Sequence, residues 1–486
     1  MSEAPLMIGV SGLRGITGRS LTPEVASRFA AAFGAWLVQR DAAAEPVVVI
    51  GRDGRAGGVE IHEAAIAGLR GAGCHVHDIG VAMTPTIAVT CDTRNALGAI
   101  IVTASHNPQE WNGLKCLVRD GSAGADAHAP YEHDARAIVD RFDEGGSSGR
   151  ADGPSEDLSR AADAHESHVA AVGAAVERIA IVHGKTPRSR PEKPVGQGLT
   201  VVLDSVNASG SRGGAAILAA LGCEKVVHIN SDDSGIFPHE PEPLRENLTG
   251  LCRAVREHGA DVGFAQDPDA DRLAIVDERG AYIGEEYTLV LAAMALLGTN
   301  NGAGGQPVLC TNLSTSRMIE DIAQRSGGRV VRTPVGEANV VQAMKRERDA
   351  GKNVILGGEG NGGVIWPSVT YVRDSLSAMA LTLALMARTG KTISELVADI
   401  PAYAIEKRKM PLASRGDAHR AVNAVAAHWS GARVDLQDGV RVDLEDSWVH
   451  VRASNTEPIL RLIAEAPTPA AAAALLDDAR RIIAKA

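Results

Sequence analysis

The strongest constraint in this chain is a repeated rhythm. Short uninterrupted apolar runs alternate with amphipathic helical stretches, and the runs lead into polar loops. Residues 47–50 (VVVI) enter Gly51-Arg52-Asp53-Gly54-Arg55, a helix is expected over 60–71 with Ile61, Ala64, Ala65 and Leu69 on one face, and 74–79 reads as the next strand. Residues 99–102 (AIIV) run straight into Thr103-Ala104-Ser105-His106-Asn107-Pro108. The rhythm restarts at 199–203 (LTVVL), with a helix over 213–221, a strand at 226–229, and 260–264 leading into Asp267-Pro268-Asp269-Ala270-Asp271-Arg272. A third round has 308–310, a helix over 316–326, a strand at 330–333, and 354–356 before a glycine loop. Strands with no polar alternation are buried on both faces, the condition of a parallel sheet covered by helices. The end of the chain differs. Residues 434–436, 440–444 and 448–452 alternate as antiparallel strands do, and a helix closes the chain over 469–484.

The expected architecture is therefore α/β: three similar α/β domains with mixed or parallel sheets and a smaller α+β C-terminal domain around a central cleft. The limits fall at 1–160, 161–280, 281–400 and 401–486. A length of 486 residues accommodates four such units. Lys and Arg number 49 against 60 Asp and Glu, a net charge of −11, which excludes a broad nucleic-acid or anionic-membrane surface. Aromatics at 3% exclude a base-stacking platform. The six cysteines show no C-x-x-C pair and read as reduced, mostly buried thiols of a cytoplasmic protein. The opening MSEAPLMIGV lacks a basic-then-apolar leader, and no apolar run approaches the roughly 20 residues of a membrane span. Residues 145–154 and the Pro-rich, basic 184–198 read as surface insertions, the latter a solvated loop.

Four loops carry chemistry. In the first, Ser105 follows a buried strand at the sheet edge. It is a nucleophile if activated, by His106 for instance, and otherwise a turn or helix cap. Lys115 is a nearby candidate base or phosphate ligand. In the second, Asp267, Asp269 and Asp271 repel one another unless a divalent ion neutralises them, and an all-oxygen set favours Mg²⁺, Mn²⁺ or Ca²⁺. Glu278 falls where an EF-hand would place its last ligand. However, Arg272 stands where that loop needs glycine, and both flanks read as strands. The third, Gly357-Gly358-Glu359-Gly360-Asn361-Gly362-Gly363, offers an acceptor and a mixed donor/acceptor suited to sugar hydroxyls, or is a flexible turn. The fourth, Arg452-Ala453-Ser454-Asn455-Thr456-Glu457-Pro458 followed by Arg461, is an anion cradle or a solvated hairpin turn. Together the loops imply a phosphorylated polyhydroxy substrate, a divalent cation and a nucleophilic serine.

On these four loops, in this order, the chain resembles the α-D-phosphohexomutases: phosphoglucomutases, phosphomannomutases and phosphoglucosamine mutases. Gly9-Val10-Ser11-Gly12-Leu13-Arg14-Gly15 is similar to the family's opening motif. The resemblance implies that Ser105 carries a phosphoryl group primed by a hexose bisphosphate. It implies that Asp267, Asp269 and Asp271 hold one Mg²⁺ per active site, with phospho-Ser105 as a further ligand. Lys115 is the implied general base, and Arg14 and His106 support the phosphoserine. Arg272, Glu359, Asn361, Arg452, Ser454, Asn455, Thr456 and Arg461 are the implied substrate contacts. The net reaction moves phosphate between O6 and O1 of a hexose through a bisphosphate that reorients in the cleft. A small sugar phosphate is the implied partner of a monomer or homodimer.

The sequence departs from common patterns in two places. Asn361 and Gly363 stand where many members have Ser and His, a version that resembles archaeal-type phosphoglucosamine mutases, and Glu337 stands where some phosphomannomutases have His. Glucosamine 6-phosphate is the favoured substrate. The alternatives are phosphomannomutase or phosphoglucomutase activity, or a metal-dependent sugar phosphatase.

Overall fold

A computed structural model describes residues 6–9, 12–41, 46–122, 124–145, 158–160, 164–181, 193–299, 305–412, 415–454 and 459–485. The strands form four sheets in chain order. The first runs Met7–Gly9, Gly12–Ile16, Trp111–Val118, Gly98–Val102, Val47–Arg52, His75–Val81, Leu158–Arg160. The second runs Leu273–Val276, Val262–Gln266, Thr200–Asp204, Lys225–Ile229. The third runs Arg329–Thr333, Pro307–Asn312, Asn353–Glu359, Gly363–Ile365. The fourth, antiparallel throughout, runs Ala404–Pro411, Ile459–Ala466, Trp448–Ala453, Val440–Asp443, Arg433–Asp435. Three α/β sheets and a smaller α+β unit are what the hydrophobic rhythm implies. Gly98–Val102 and Val262–Gln266 are buried at every residue, as continuous apolar strands require.

One topological feature is common to all four units. Each chemistry-bearing loop closes an antiparallel hairpin: Gly98–Val102 with Trp111–Val118, Val262–Gln266 with Leu273–Val276, Asn353–Glu359 with Gly363–Ile365, and Trp448–Ala453 with Ile459–Ala466. A parallel return needs a crossover of about a dozen residues or more, and these loops are too short for one. In the first three units the incoming strand is parallel to its inner neighbour and the outgoing strand folds back. The polar residues are thus held at the carboxyl end of a buried strand, where α/β sheets bind ligands.

The second and third units share one apolar core. The buried helices Glu285–Leu297 and Ser375–Thr389 contribute Leu289, Leu291, Leu381 and Leu383 to it, beside Leu203 and Phe264. Cys74, Cys91, Cys116 and Cys310 are buried, Cys223 and Cys252 are half-buried, and all six thiols are free. Burial pushes the Cys74 and Cys310 thiols up to about 12, so they are protonated and unreactive. No described helix is long and apolar enough to cross a membrane.

Residues 184–192 of the basic segment expected to be a solvated loop lie outside the described residues; Lys193, Pro194, Gln197 and Gly198 are exposed, but Gly196 is buried and its N–H donates to the Leu221 carbonyl (2.9 Å). Of the 145–154 segment only Gly145 is described.

Candidate active site

The serine loop is strained and heavily braced. Ser105 adopts a left-handed backbone conformation, φ 51°, which costs a residue with a Cβ about 1–3 kcal/mol. Its N–H donates to Thr103 Oγ1 (2.8 Å), and Thr103 Oγ1 donates to Asp53 Oδ2 (2.6 Å). Arg55 donates from Nε to the same Asp53 oxygen (2.8 Å) and from Nη2 to the Ser105 carbonyl (2.5 Å). Asp53 and Arg55 come from the loop after Val47–Arg52, and both are buried. Held this way, Ser105 Oγ caps no helix. It donates to Asp267 Oδ2 at 2.9 Å.

His106 Nδ1 lies 3.3 Å from the Ser105 Oγ, although neighbours on a tight turn commonly point apart. Burial, aided by Arg272 and Arg14, pushes His106 down to about 2, so its imidazole is neutral. Arg14 Nη1 donates to Asn107 Oδ1 (3.0 Å) and pins the turn from the strand Gly12–Ile16.

The carboxylate loop has the second strained residue, Ala270 at φ 53°. Asp267, Asp269 and Asp271 are all buried, with oxygens within 4.8 Å of one another. Their charges are met from other units. Lys115 Nζ donates to Asp269 Oδ2 (2.6 Å) and Asp271 Oδ2 (3.1 Å), and Arg373 Nη2 donates to Asp271 Oδ2 (2.7 Å). Thr84 donates from Oγ1 to Asp269 Oδ2 (2.7 Å) and from N to the Asp269 carbonyl (2.9 Å). Arg272 donates its backbone N–H to Asp267 Oδ1 (3.1 Å) and holds its guanidinium 3.8 Å from Asp271.

The carboxyls do not respond alike: Asp267 is raised, whereas Asp269 and Asp271 are lowered. Burial, together with Asp271 and Asp269, raises Asp267 well above the usual carboxylate range. Burial also works against ionisation of Asp271, but Arg373, Lys115 and Arg272 overcome it and hold the group low. Burial would likewise strip the proton from Lys115, yet Asp269 and Asp271 outweigh it and raise the ammonium. Asp269 Oδ1 and Asp271 Oδ1 are buried and accept no hydrogen bond. Two orphaned oxygens beside a third carboxylate, in an all-oxygen set, fit a hard divalent cation. Glu278 plays no part: it accepts from the Ser394 N–H (3.2 Å), and strands flank the loop, so the site is not an EF-hand.

The glycine loop meets the carboxylate loop directly, Leu273 N–H donating to the Gly362 carbonyl (3.0 Å). Glu359 is buried and accepts from Asn312 Nδ2 (2.8 Å), Gly336 N (3.3 Å) and Arg373 Nη1 (2.7 Å). Asn361 Oδ1 accepts from Gly363 N (3.2 Å) and closes the turn. One connected network thus holds Ser105, His106, Arg14, Lys115, Asp267, Asp269, Asp271, Arg272 and Glu359.

The arginine hairpin is joined to it by one further link. Arg452 Nε donates to Asp438 Oδ2 (2.8 Å), which also accepts from Val335 N (3.1 Å), next to the Gly336 that donates to Glu359. Arg452 and Arg461 are direct cross-strand partners, and Ser454 N–H donates to the Ile459 carbonyl (2.9 Å). Asn455 and Thr456 lie outside the described residues.

Sequence reading missed Thr84, Asp53, Arg55, Thr103 and Arg373. The Asp53-Gly54-Arg55 loop carried a usable signal, since it too ends a buried strand. Thr84 and Arg373 carried none: each is an isolated side chain that becomes relevant only where another unit touches it.

Family models for phosphoglucomutase/phosphomannomutase match end to end: α/β/α domain I over residues 5–142, domain II over 182–280, domain III over 284–403 and the C-terminal domain over 406–482. The chain belongs to the phosphoglucomutase/phosphomannomutase family. It is a phosphohexomutase-type isomerase. A protein of Thermococcus kodakarensis named "Phosphoglucomutase/phosphomannomutase" is 37% identical, with 95% of this chain and 94% of that protein aligned. A "Probable phosphoglucosamine mutase" of Methanopyrus kandleri is 34% identical over 97% of this chain and 96% of its own. A crystal structure of a phosphoglucomutase/phosphomannomutase family protein from Burkholderia thailandensis superposes with a TM-score of 0.78 at 27% identity, covering 98% of both chains.

Proposed function

We propose that this phosphohexomutase interconverts glucosamine 6-phosphate and glucosamine 1-phosphate through phospho-Ser105 and a hexose bisphosphate. The observation that carries this reading is the hydrogen bond from Ser105 Oγ to Asp267 Oδ2, 2.9 Å, which joins the nucleophile to the carboxylate cluster. A phosphoryl group on that oxygen would lie against Asp267, Asp269 and Asp271, the residues that would hold Mg²⁺. When bound, the cation offsets negative charge on the carboxylates and on the transferring phosphoryl group.

The chain's own residues do the rest. Arg55, Thr103 and Asp53 fix the serine turn, and Arg14 fixes Asn107 beside it. Neutral His106 accepts or donates a hydrogen bond at Ser105 without adding charge. Lys115 takes the proton of the attacking sugar hydroxyl as that oxygen bonds to phosphorus and the bond from phosphorus to Ser105 Oγ breaks, and the departing Ser105 oxygen takes up a proton and ends as a hydroxyl. Lys115 gives up its own proton beforehand, which the charge on Asp269 and Asp271 opposes until it is offset. Glu359 reads sugar hydroxyls. Arg452, Ser454, Asn455, Thr456 and Arg461 hold the phosphate that is not being transferred, Arg272 contributes at the carboxylate side, and Asn361 shapes the sugar turn. The bisphosphate reorients, and its other phosphoryl group returns to Ser105. All these residues come from one chain, so a monomer suffices, and six free thiols suit a reducing cytoplasm.

The amino sugar is supported by the Methanopyrus kandleri relative's name and by the small residues of the glycine loop. The Thermococcus kodakarensis relative's name supports a second reading, glucose or mannose phosphates. Assay of kcat/KM across glucose, mannose, glucosamine and N-acetylglucosamine phosphates separates them, with glucosamine 6-phosphate expected highest. Inorganic phosphate released in step with substrate loss would mark a phosphatase instead.

A further inference from the structure

Arg373 holds the carboxylate loop and the glycine loop with one guanidinium. Its Nη2 donates to Asp271 Oδ2 and its Nη1 to Glu359 Oε2, each at 2.7 Å, and its Nε lies 3.3 Å from Glu337 Oε2. Its backbone N–H donates to Glu337 Oε1 (3.1 Å). A buried charge is tolerated only when paired, and three carboxylates pair this one. The neighbourhood is shaped around it. A Cβ on Gly363 would come within 2.2 Å of Arg373 Cδ, so residue 363 has to be glycine for this side chain to pass. Two of the three residues at which the sequence departs from the common pattern, Gly363 and Glu337, therefore touch Arg373.

The geometry at Asp271 decides what the arginine does. Its Oδ2 is occupied by Arg373 and Lys115, while its Oδ1 is buried and accepts no hydrogen bond. Arg373 thereby takes up Oδ2 and leaves Oδ1, 3.8 Å from Arg272 Nε, without a hydrogen bond. The other arm of the same planar fork fixes Oε2 of Glu359.

We propose that Arg373 is a positioning residue that couples divalent-cation binding to sugar recognition, by orienting Asp271 and Glu359 together. A lysine cannot replace it, because an ammonium lacks two parallel donors in a rigid plane.

This inference rests on the cation and sugar assignments proposed above. Those are tested by the wild type alone, through Mg²⁺ binding and mutase activity. The coupling is tested by ratios between variants and wild type. Mg²⁺ affinity is measured calorimetrically on the protein carrying no phosphoserine, with and without glucosamine 6-phosphate, and KM and kcat are measured separately. In the wild type each ligand tightens the other. In Arg373→Gln and Arg373→Lys, Mg²⁺ affinity falls about tenfold or more, as loss of a partner that orients a metal ligand does. KM rises about tenfold by the same loss at Glu359, and the mutual tightening disappears. Gly363→Ala, which displaces the arginine without removing its charge, gives the same result and decides the matter if the Arg373 variants do not fold. Folded variants that keep wild-type Mg²⁺ affinity, KM or mutual tightening within twofold overturn the proposal.

Discussion

The carboxylate loop of the second unit and the arginine hairpin of the fourth solve opposite electrostatic problems in different ways. Asp267, Asp269 and Asp271 are fully buried, and the cations that hydrogen-bond their side chains come from elsewhere, Lys115 from the first unit and Arg373 from the third, with Arg272 of the same loop 3.8 Å from Asp271. Arg452 and Arg461 sit opposite each other across one hairpin, and the carboxylate on Arg452 is Asp438 of the same unit. Arg461 stands in solvent. A buried charge must be paired to exist, so the acidic site is assembled by packing between units. Arg452 is buried but paired within its own unit, and Arg461 is exposed, where a like charge is only mildly unfavourable, so the basic cluster is built locally.

That contrast can be broken at either end. The largest effect is expected at the buried end: Ser105→Ala lowers kcat by about 100-fold or more with KM little changed, as loss of a covalent nucleophile should. A variant that keeps turnover removes the serine from the chemistry. Next, Thr84→Val deletes the hydroxyl on Asp269. Mg²⁺ affinity falls about tenfold or more by calorimetry, and the protein loses about 1–3 kcal/mol in urea unfolding. A smaller effect is expected at the exposed end. Arg461→Ala raises KM about tenfold by loss of a charge-assisted contact, with stability within about 0.5 kcal/mol of wild type, since a surface residue leaves no cavity. If its kcat falls as much as its affinity, the hairpin is part of the reacting centre and the contrast fails.

The smallest effect sits at the seam between the two regions. Glu286 is buried beneath Gly360, accepts the Ser316 N–H (2.9 Å), and is raised to about 8, chiefly by burial. The unfolded chain gives up this proton near the usual 4.5, whereas the folded protein keeps it until about 8. The contribution to stability is thus complete below pH 4.5 and is lost as pH rises to about 8. Thermal melting of Glu286→Gln, which keeps an acceptor and cannot ionise, is expected to fall less between pH 5 and 9, by about 2 °C. Parallel melting curves would show that Glu286 does not titrate in this window.

Much of this was legible in the residues. Continuous apolar runs such as VVVI and AIIV marked buried strands because nothing polar interrupts them, and Asp267-Pro268-Asp269-Ala270-Asp271 marked a candidate cation site because its carboxylates repel. The return strands after the chemistry loops were less visible. Gly363–Ile365 is too short to show a period of its own, and although 273–276 reads as a strand, the antiparallel sense of both follows from loop length. The docking of Gly196 was hidden by a Pro-rich, basic composition that describes solubility rather than contacts.

Local sequence by itself determined the three α/β units and the α+β end, and marked the serine, the carboxylate triad and the arginine hairpin as candidates, because hydrophobic period and short-range charge repulsion act between near neighbours in the chain. Tertiary structure decided how those parts work together. Asp267 lies 162 residues from Ser105, Lys115 lies 154 from Asp269, and Arg373 lies 102 from Asp271. Pairing a buried charge is an energetic demand on position in space, and only the packed fold brings such distant partners within hydrogen-bond reach.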